Sequence, residues 1–248
     1  PKERTEYISC FCCPPNTLRT LCQAQNYAYT LSPEGIYCNL YGANTLTTNW
    51  KDKGELALVQ ETDYPWEGNI RVTLDKVPRK AGAFSLFFRI PEWCGKAALT
   101  VNGQPVSMNA KANTYAEVNR TWKKGDVVEV HFDMQPRVVK ANEKVVADRG
   151  RVAVERGPIV YCAEWADNDF NIQNIILNRH PKFQVTEKPE LLYGINEITT
   201  EVQALGFDAA GKLATRDVTL TLIPYYAWAH RGEGKMDVWL PVNRIDVE

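Results

Sequence analysis

The chain has 248 residues, a formal net charge of −1, 44% hydrophobic residues and 24% charged residues. This is an ordinary globular composition, with enough apolar mass for one large all-β domain or two ordinary domains. Lys and Arg are dispersed along a near-neutral sequence, which argues against a nucleic-acid grip, and no apolar run reaches the length of a membrane span.

The sequence opens at Pro1, without Met or a leader, and is inside a cysteine motif by Cys10. The expectation is a piece of a longer precursor whose targeting information lies upstream. The compartment therefore stays open between cytoplasm and periplasm. Residues 14–29 read as the one helix. Pro14 and Pro15 suit a first turn, and Leu18, Leu21, Cys22, Gln25 and Ala28 follow helical spacing. Ser32-Pro33-Glu34-Gly35 ends it with turn chemistry.

Strands follow. Residues 36–46, 55–61, 70–74 and 84–90 alternate or run apolar between Gly, Pro and Asp-Lys punctuation. Residues 98–101 meet Asn102-Gly103, a strong hairpin signal. Residues 115–118 and 127–132 flank the polar turn Trp122-Lys123-Lys124-Gly125-Asp126. After Pro136, residues 151–155, 159–162, 197–205, 218–223 and 236–240 read as strands. The stretch 167–189 reads as a long loop with one short strand at 175–177. The predicted architecture is mainly β: the end of a helical domain over 1–32, a first β-sandwich over 33–135 and a second over 136–248. The two halves show no alignable repeat.

Four of the seven cysteines, Cys10, Cys12, Cys13 and Cys22, crowd into the first tenth of the chain; the others are Cys38, Cys94 and Cys162. An odd number fits poorly with a complete disulfide framework. Cys12 and Cys13 immediately precede Pro14, which places two thiols at a helix start. Free amides and the helix dipole there favour the thiolate, which serves as a nucleophile or as a zinc ligand. The alternative is a pair of buried structural cysteines, and the spacing alone does not decide. Zinc takes about four ligands, while this segment offers at most three thiols. His131, His180 and His230 lie far away in sequence and read as incidental.

The run Cys12-Cys13-Pro14-Pro15-Asn16 resembles the signature of glycoside hydrolase family 127 and of its relative, family 146. The resemblance continues in order through Asn39-Leu40-Tyr41, Thr62-Asp63-Tyr64-Pro65-Trp66, Arg89-Ile90-Pro91-Glu92-Trp93-Cys94 and Val101-Asn102-Gly103. Trp122-Lys123-Lys124-Gly125-Asp126, Glu155-Arg156-Gly157-Pro158-Ile159-Val160-Tyr161 and Ile223-Pro224-Tyr225-Tyr226-Ala227-Trp228 close the series. The resemblance implies an (α/α)₆ catalytic barrel followed by β-sandwiches, in an exo-acting retaining β-L-arabinofuranosidase. It implies zinc held by a Glu-x-Cys pair of the barrel and by Cys12 and Cys13. Cys12 is then the nucleophile as well as a ligand, and Cys13 a ligand only; Cys10 receives no role. The implied substrate is an arabinose-containing oligosaccharide or plant glycan, and the implied partner is the N-terminal barrel. This chain shows no Glu-x-Cys pair before Cys12, since Glu6 has the wrong spacing, and no general acid can be named in it. By itself it is expected to bind zinc weakly or not at all and to be inactive.

Other candidates carry less. Trp66 suits sugar stacking, but Tyr64 and Trp66 also suit packing of a turn on the sandwich. Trp93 and Trp122 read as core anchors, and Tyr225, Tyr226 and Trp228 as packing against the barrel. Asp63 and Glu67 could pass for paired carboxylates but, lying near each other in a turn, read as solvated. Arg19 faces either the site or a salt bridge. The rival function is a non-catalytic carbohydrate-binding or structural β-sandwich module.

Overall fold

The computed structural model of the chain describes residues 4–7, 9–108, 110–207 and 209–242. The chain divides into two compact units, one of residues 9–134, the other of residues 4–7 with those from 135 onward. Residues 243–248, the end of the expected second domain, lie outside the described residues.

The first unit opens with helix α1 (Cys13–Gln23), continued by a 3₁₀ turn over 24–27. The helix is shorter than the expected 14–29, because the chain must already be extended by Tyr29 to pair with the next strand. Its strands are β1 (Tyr29–Leu31), β2 (Gly35–Cys38), β3 (Asn44–Trp50), β4 (Gly54–Thr62), β5 (Asn69–Lys76), β6 (Ala83–Ile90), β7 (Ala97–Val101), β8 (Gln104–Pro105), β9 (Thr114–Thr121) and β10 (Val127–Phe132). They form a four-stranded sheet, β1-β2-β6-β9, and a six-stranded sheet, β3-β4-β5-β10-β7-β8. Alternation in β5 and β10 turns Ile70, Val72, Leu74, Val128, Val130 and Phe132 inward onto Ile36, Phe84, Leu86 and Phe88 of the other sheet. Asn102 and Gly103 both take positive φ, 49° and 77°, as a tight primed hairpin turn requires.

β6 is buried on both faces. Phe87 points away from the core, yet Tyr37 stacks on it at 4.1 Å and Tyr115 meets Tyr37 edge-on at 5.1 Å. Ser85, beside it, is bonded to Glu117 and Asn119. Hence the run 83–90 reads as continuous rather than alternating. β6 pairs in parallel with β2. Gly35 makes this approach possible, because a Cβ there would stand 1.9 Å from the Ser85 carbonyl oxygen.

The second unit contains β11 (Pro136–Lys140), β12 (Arg151–Arg156), β13 (Ile159–Glu164), β14 (Ile175–Leu177), β15 (Gln184–Lys188), β16 (Ile195–Phe207), β17 (Leu213–Pro224), β18 (Met236–Asp237) and β19 (Leu240–Pro241). One hydrogen-bonded sheet runs β11-β12-β13-β17-β16-β14, with β15 on β16, β18 on β13 and β19 on β12. It folds over on itself: Leu177 of β14 bridges to Val242, just past β19. The enclosed core holds Val152, Val154, Tyr161, Ile198, Leu220 and Leu222. A smaller cluster on Cys162, Ile195 and Ile223 covers the other face of β13 and β17. Inside the expected loop 167–189, Asn168 is buried and donates to the Glu164 and Thr221 carbonyls while accepting the Thr221 amide. Among the described residues, no helix is long and apolar enough to cross a membrane.

Candidate functional site

The site begins at the start of α1. Pro14 and Pro15 lie in the first turn, where their missing N–H groups would have had no helical partner, and Cys12 is the N-cap residue. The turn is closed by the Asn16 amide donating to the Cys12 carbonyl at 3.3 Å and by the Thr17 hydroxyl donating to the Cys13 carbonyl at 3.0 Å. This arrangement turns three sulfurs together. Cys10 and Cys12 Sγ stand 3.3 Å apart, Cys12 and Cys13 3.5 Å, and Cys10 and Cys13 3.8 Å.

Among the described residues these three thiols are the one group with metal-ligand geometry, and all three are exposed. Zinc–thiolate bonds of about 2.3 Å at tetrahedral angles place sulfurs about 3.8 Å apart. The observed spacings fit three corners of such a site after a small relaxation. No imidazole or carboxylate joins the group, so the three histidines stay outside it, as expected.

The electrostatics differ from the simple helix-start expectation. The Cys10 thiol is lowered, to about 7, by the backbone amide of Cys13 first, then by the Cys12 thiol and amide. Cys13 is raised, because its contacts with the Cys12 and Cys10 sulfurs hold its proton. The amides freed at the helix start point back at the residue two positions upstream of the pair. Sequence reading left Cys10 without a role, and the C-x-C-C spacing was the signal available for it. The other cysteines are apart: Cys22 is exposed, and burial pushes the Cys38 and Cys162 thiols up to about 12.

Arg19 donates to Asn16 on its own helix. Tyr64 packs on the core against Tyr41, Phe132 and Trp93, whereas Trp66 stands 43% exposed. Trp122 is buried, with its indole N–H on the Phe84 carbonyl, and Trp93 packs partly buried against Phe132. In the second unit, Tyr225 stacks on Trp228, and Arg4 donates to the Tyr226 and Trp228 carbonyls. The stripe Leu18 and Leu21 of α1 is 63% and 67% exposed, and no residue of α1 is buried.

Residues 35–134 match the family model described as beta-L-arabinofuranosidase, GH127 middle domain, and residues 136–241 match the glycoside hydrolase family 127 C-terminal domain. The chain belongs to glycoside hydrolase family 127. A non-reducing end beta-L-arabinofuranosidase of Bifidobacterium longum subsp. longum is 33% identical over 256 residues, covering 95% of this chain and 38% of that relative. A solved glycoside hydrolase superposes with a TM-score of 0.89 at 65% identity, over 98% of this chain and 42% of its own. A GH127 beta-L-arabinofuranosidase from Geobacillus stearothermophilus T6 does so with a TM-score of 0.89 at 36% identity, over 98% of this chain and 39% of its own. The chain thus spans about two fifths of the length of these relatives and corresponds to the C-terminal portion of the family's architecture.

Proposed function

We propose that this chain carries the nucleophile and half of the zinc site of a retaining exo-β-L-arabinofuranosidase. The observation that carries the reading is the convergence of Cys10, Cys12 and Cys13 sulfurs within 4 Å at a proline-initiated helix start, in a chain of this family. Cys12 and Cys13 would hold the metal. Zinc, when bound, keeps a cysteine ligand deprotonated and tempers it as a leaving group.

Cys12 Sγ then attacks the anomeric carbon of a terminal β-L-arabinofuranosyl unit, forming a C–S bond as the glycosidic C–O bond breaks. The departing oxygen takes a proton from a general acid, and water delivered through the conjugate base later displaces the sulfur, with net retention. The general acid and the remaining ligands are assigned to the helical barrel that the family resemblance implies. The exposed Leu18 and Leu21 stripe is the kind of face such helices cover.

Zinc titration of the reduced chain tests the assignment. The chain alone is expected to hold zinc only weakly, and each of C12A and C13A to lower that residual affinity by tenfold or more in competition with a weak chromophoric chelator. Unchanged affinity in both variants would remove the metal site from this cluster.

A further inference from the structure

One end of the first sandwich gathers positive charge that the sequence disperses. A cleft of about 940 Å³ opens between the β3–β4 turn, the β5–β6 connection and the β9–β10 turn, and Lys53, Lys76, Arg79, Lys80, Lys123 and Lys124 line it. Three carboxylates, Asp52, Glu55 and Asp75, share the lining. Lys76 pairs with Glu55 at 2.8 Å and Lys124 reaches Asp75 at 3.6 Å. Lys53 lies over the Trp50 ring at 3.8 Å and donates to the Pro33 carbonyl. Arg79 and Lys80 are exposed and form no salt bridge among the described residues, and Lys123 is exposed too, its charge acting on the Asp126 carboxylate beside it. The charge is local: a second hollow of the same unit is acidic, with Glu61, Asp63, Glu67 and Glu129 around Arg71.

Cations on three separate turns around a space of this size suit an extended ligand with repeated negative charges better than one small anion. The polar lining favours a sugar polymer. Asn49, Asp52 and Glu55 can accept hydrogen bonds from hydroxyl groups, whereas Trp50 and Trp122 are buried and offer no exposed ring for stacking a nucleobase. We infer that this cleft is a binding site for a carboxylated glycan, a polyuronate segment, apart from the thiol cluster. The choice of a glycan among polyanions rests on the family reading given above, while the cleft itself does not.

Affinity electrophoresis of the full chain in gels containing de-esterified polygalacturonate tests this. Retardation is expected at low salt, with loss at about 1 M NaCl, where the screening length is roughly 3 Å. Retardation by fully methyl-esterified polygalacturonate or neutral arabinan is expected to be absent. R79Q/K80Q should weaken binding about fivefold with unchanged thermal unfolding, and K96Q/K111Q should leave it unchanged. Retardation of R79Q/K80Q equal to that of the parent, equal binding of the methyl ester, or tighter binding of a DNA duplex would overturn the assignment. No readout involves hydrolysis or zinc, so this site and the proposed catalytic role can fail separately.

Discussion

Cys10 shows how one residue's chemistry is set by its neighbours' backbone. Its thiol is brought down to about 7 by the Cys13 amide first, then by the Cys12 thiol and amide; both amides stand at the helix start, where no helical carbonyl accepts them. A lowered thiol pKa means that thiolate is present above about 7 and lost as the pH falls below it. Alkylation of the metal-free, reduced chain should therefore show a rate phase with a midpoint near pH 7, and C10S should remove that phase; a profile unchanged in C10S would contradict it. Asp126 makes a parallel case. Burial would raise its carboxyl, but hydrogen bonds from Asn102 and the Lys123 amide, both 2.9 Å, together with the charges of Arg120 and Lys123, hold it below the ordinary value. A depressed folded-state pKa contributes stability above the unfolded value of about 3.9, which is lost as the pH falls through the folded value. D126N should destabilise the first unit by about 1–2 kcal/mol at neutral pH, with the gap closing in acid, as read by denaturant unfolding.

Elements depend on both pattern and pairing. β4, β5, β6, β10, β12 and β14 were legible within a few residues, because alternation or a short apolar run marks a strand with at least one buried face. β11 and β15 were not. Val138 is 38% exposed and Gln184 and Glu187 are exposed, so neither strand carries a clean alternation. Each exists because a better-marked neighbour, β12 or β16, offers a free edge in register. The parallel β2–β6 pair was also invisible, since its partners are separated by about fifty residues and meet only through the bare Cα of Gly35. G35A should force β2 off β6 and lower the unfolding midpoint of the first unit, by about 2 kcal/mol or more; a variant as stable as the parent would show that the strands can slide apart without loss.

At the scale of the whole molecule, the described residues hold one thiol cluster, and neither an imidazole nor a carboxylate stands in it. The 248-residue chain alone is accordingly expected to release no arabinose from an aryl β-L-arabinofuranoside, with or without added zinc; measurable turnover abolished by C12A would mean that a general acid lies within this chain. Family membership, the mainly β architecture and the Cys12-Cys13 pair at a helix start were determined by the sequence itself, because motifs, turn residues and hydrophobic periodicity are written in local order. The third sulfur's acidity, the strand edges that recruit β11 and β15, and the basic cleft that collects Lys53, Arg79 and Lys123 were decided by tertiary structure. Each of these depends on distances between groups that the chain order leaves apart, and charge and hydrogen bonding act over ångströms of space rather than positions along a sequence.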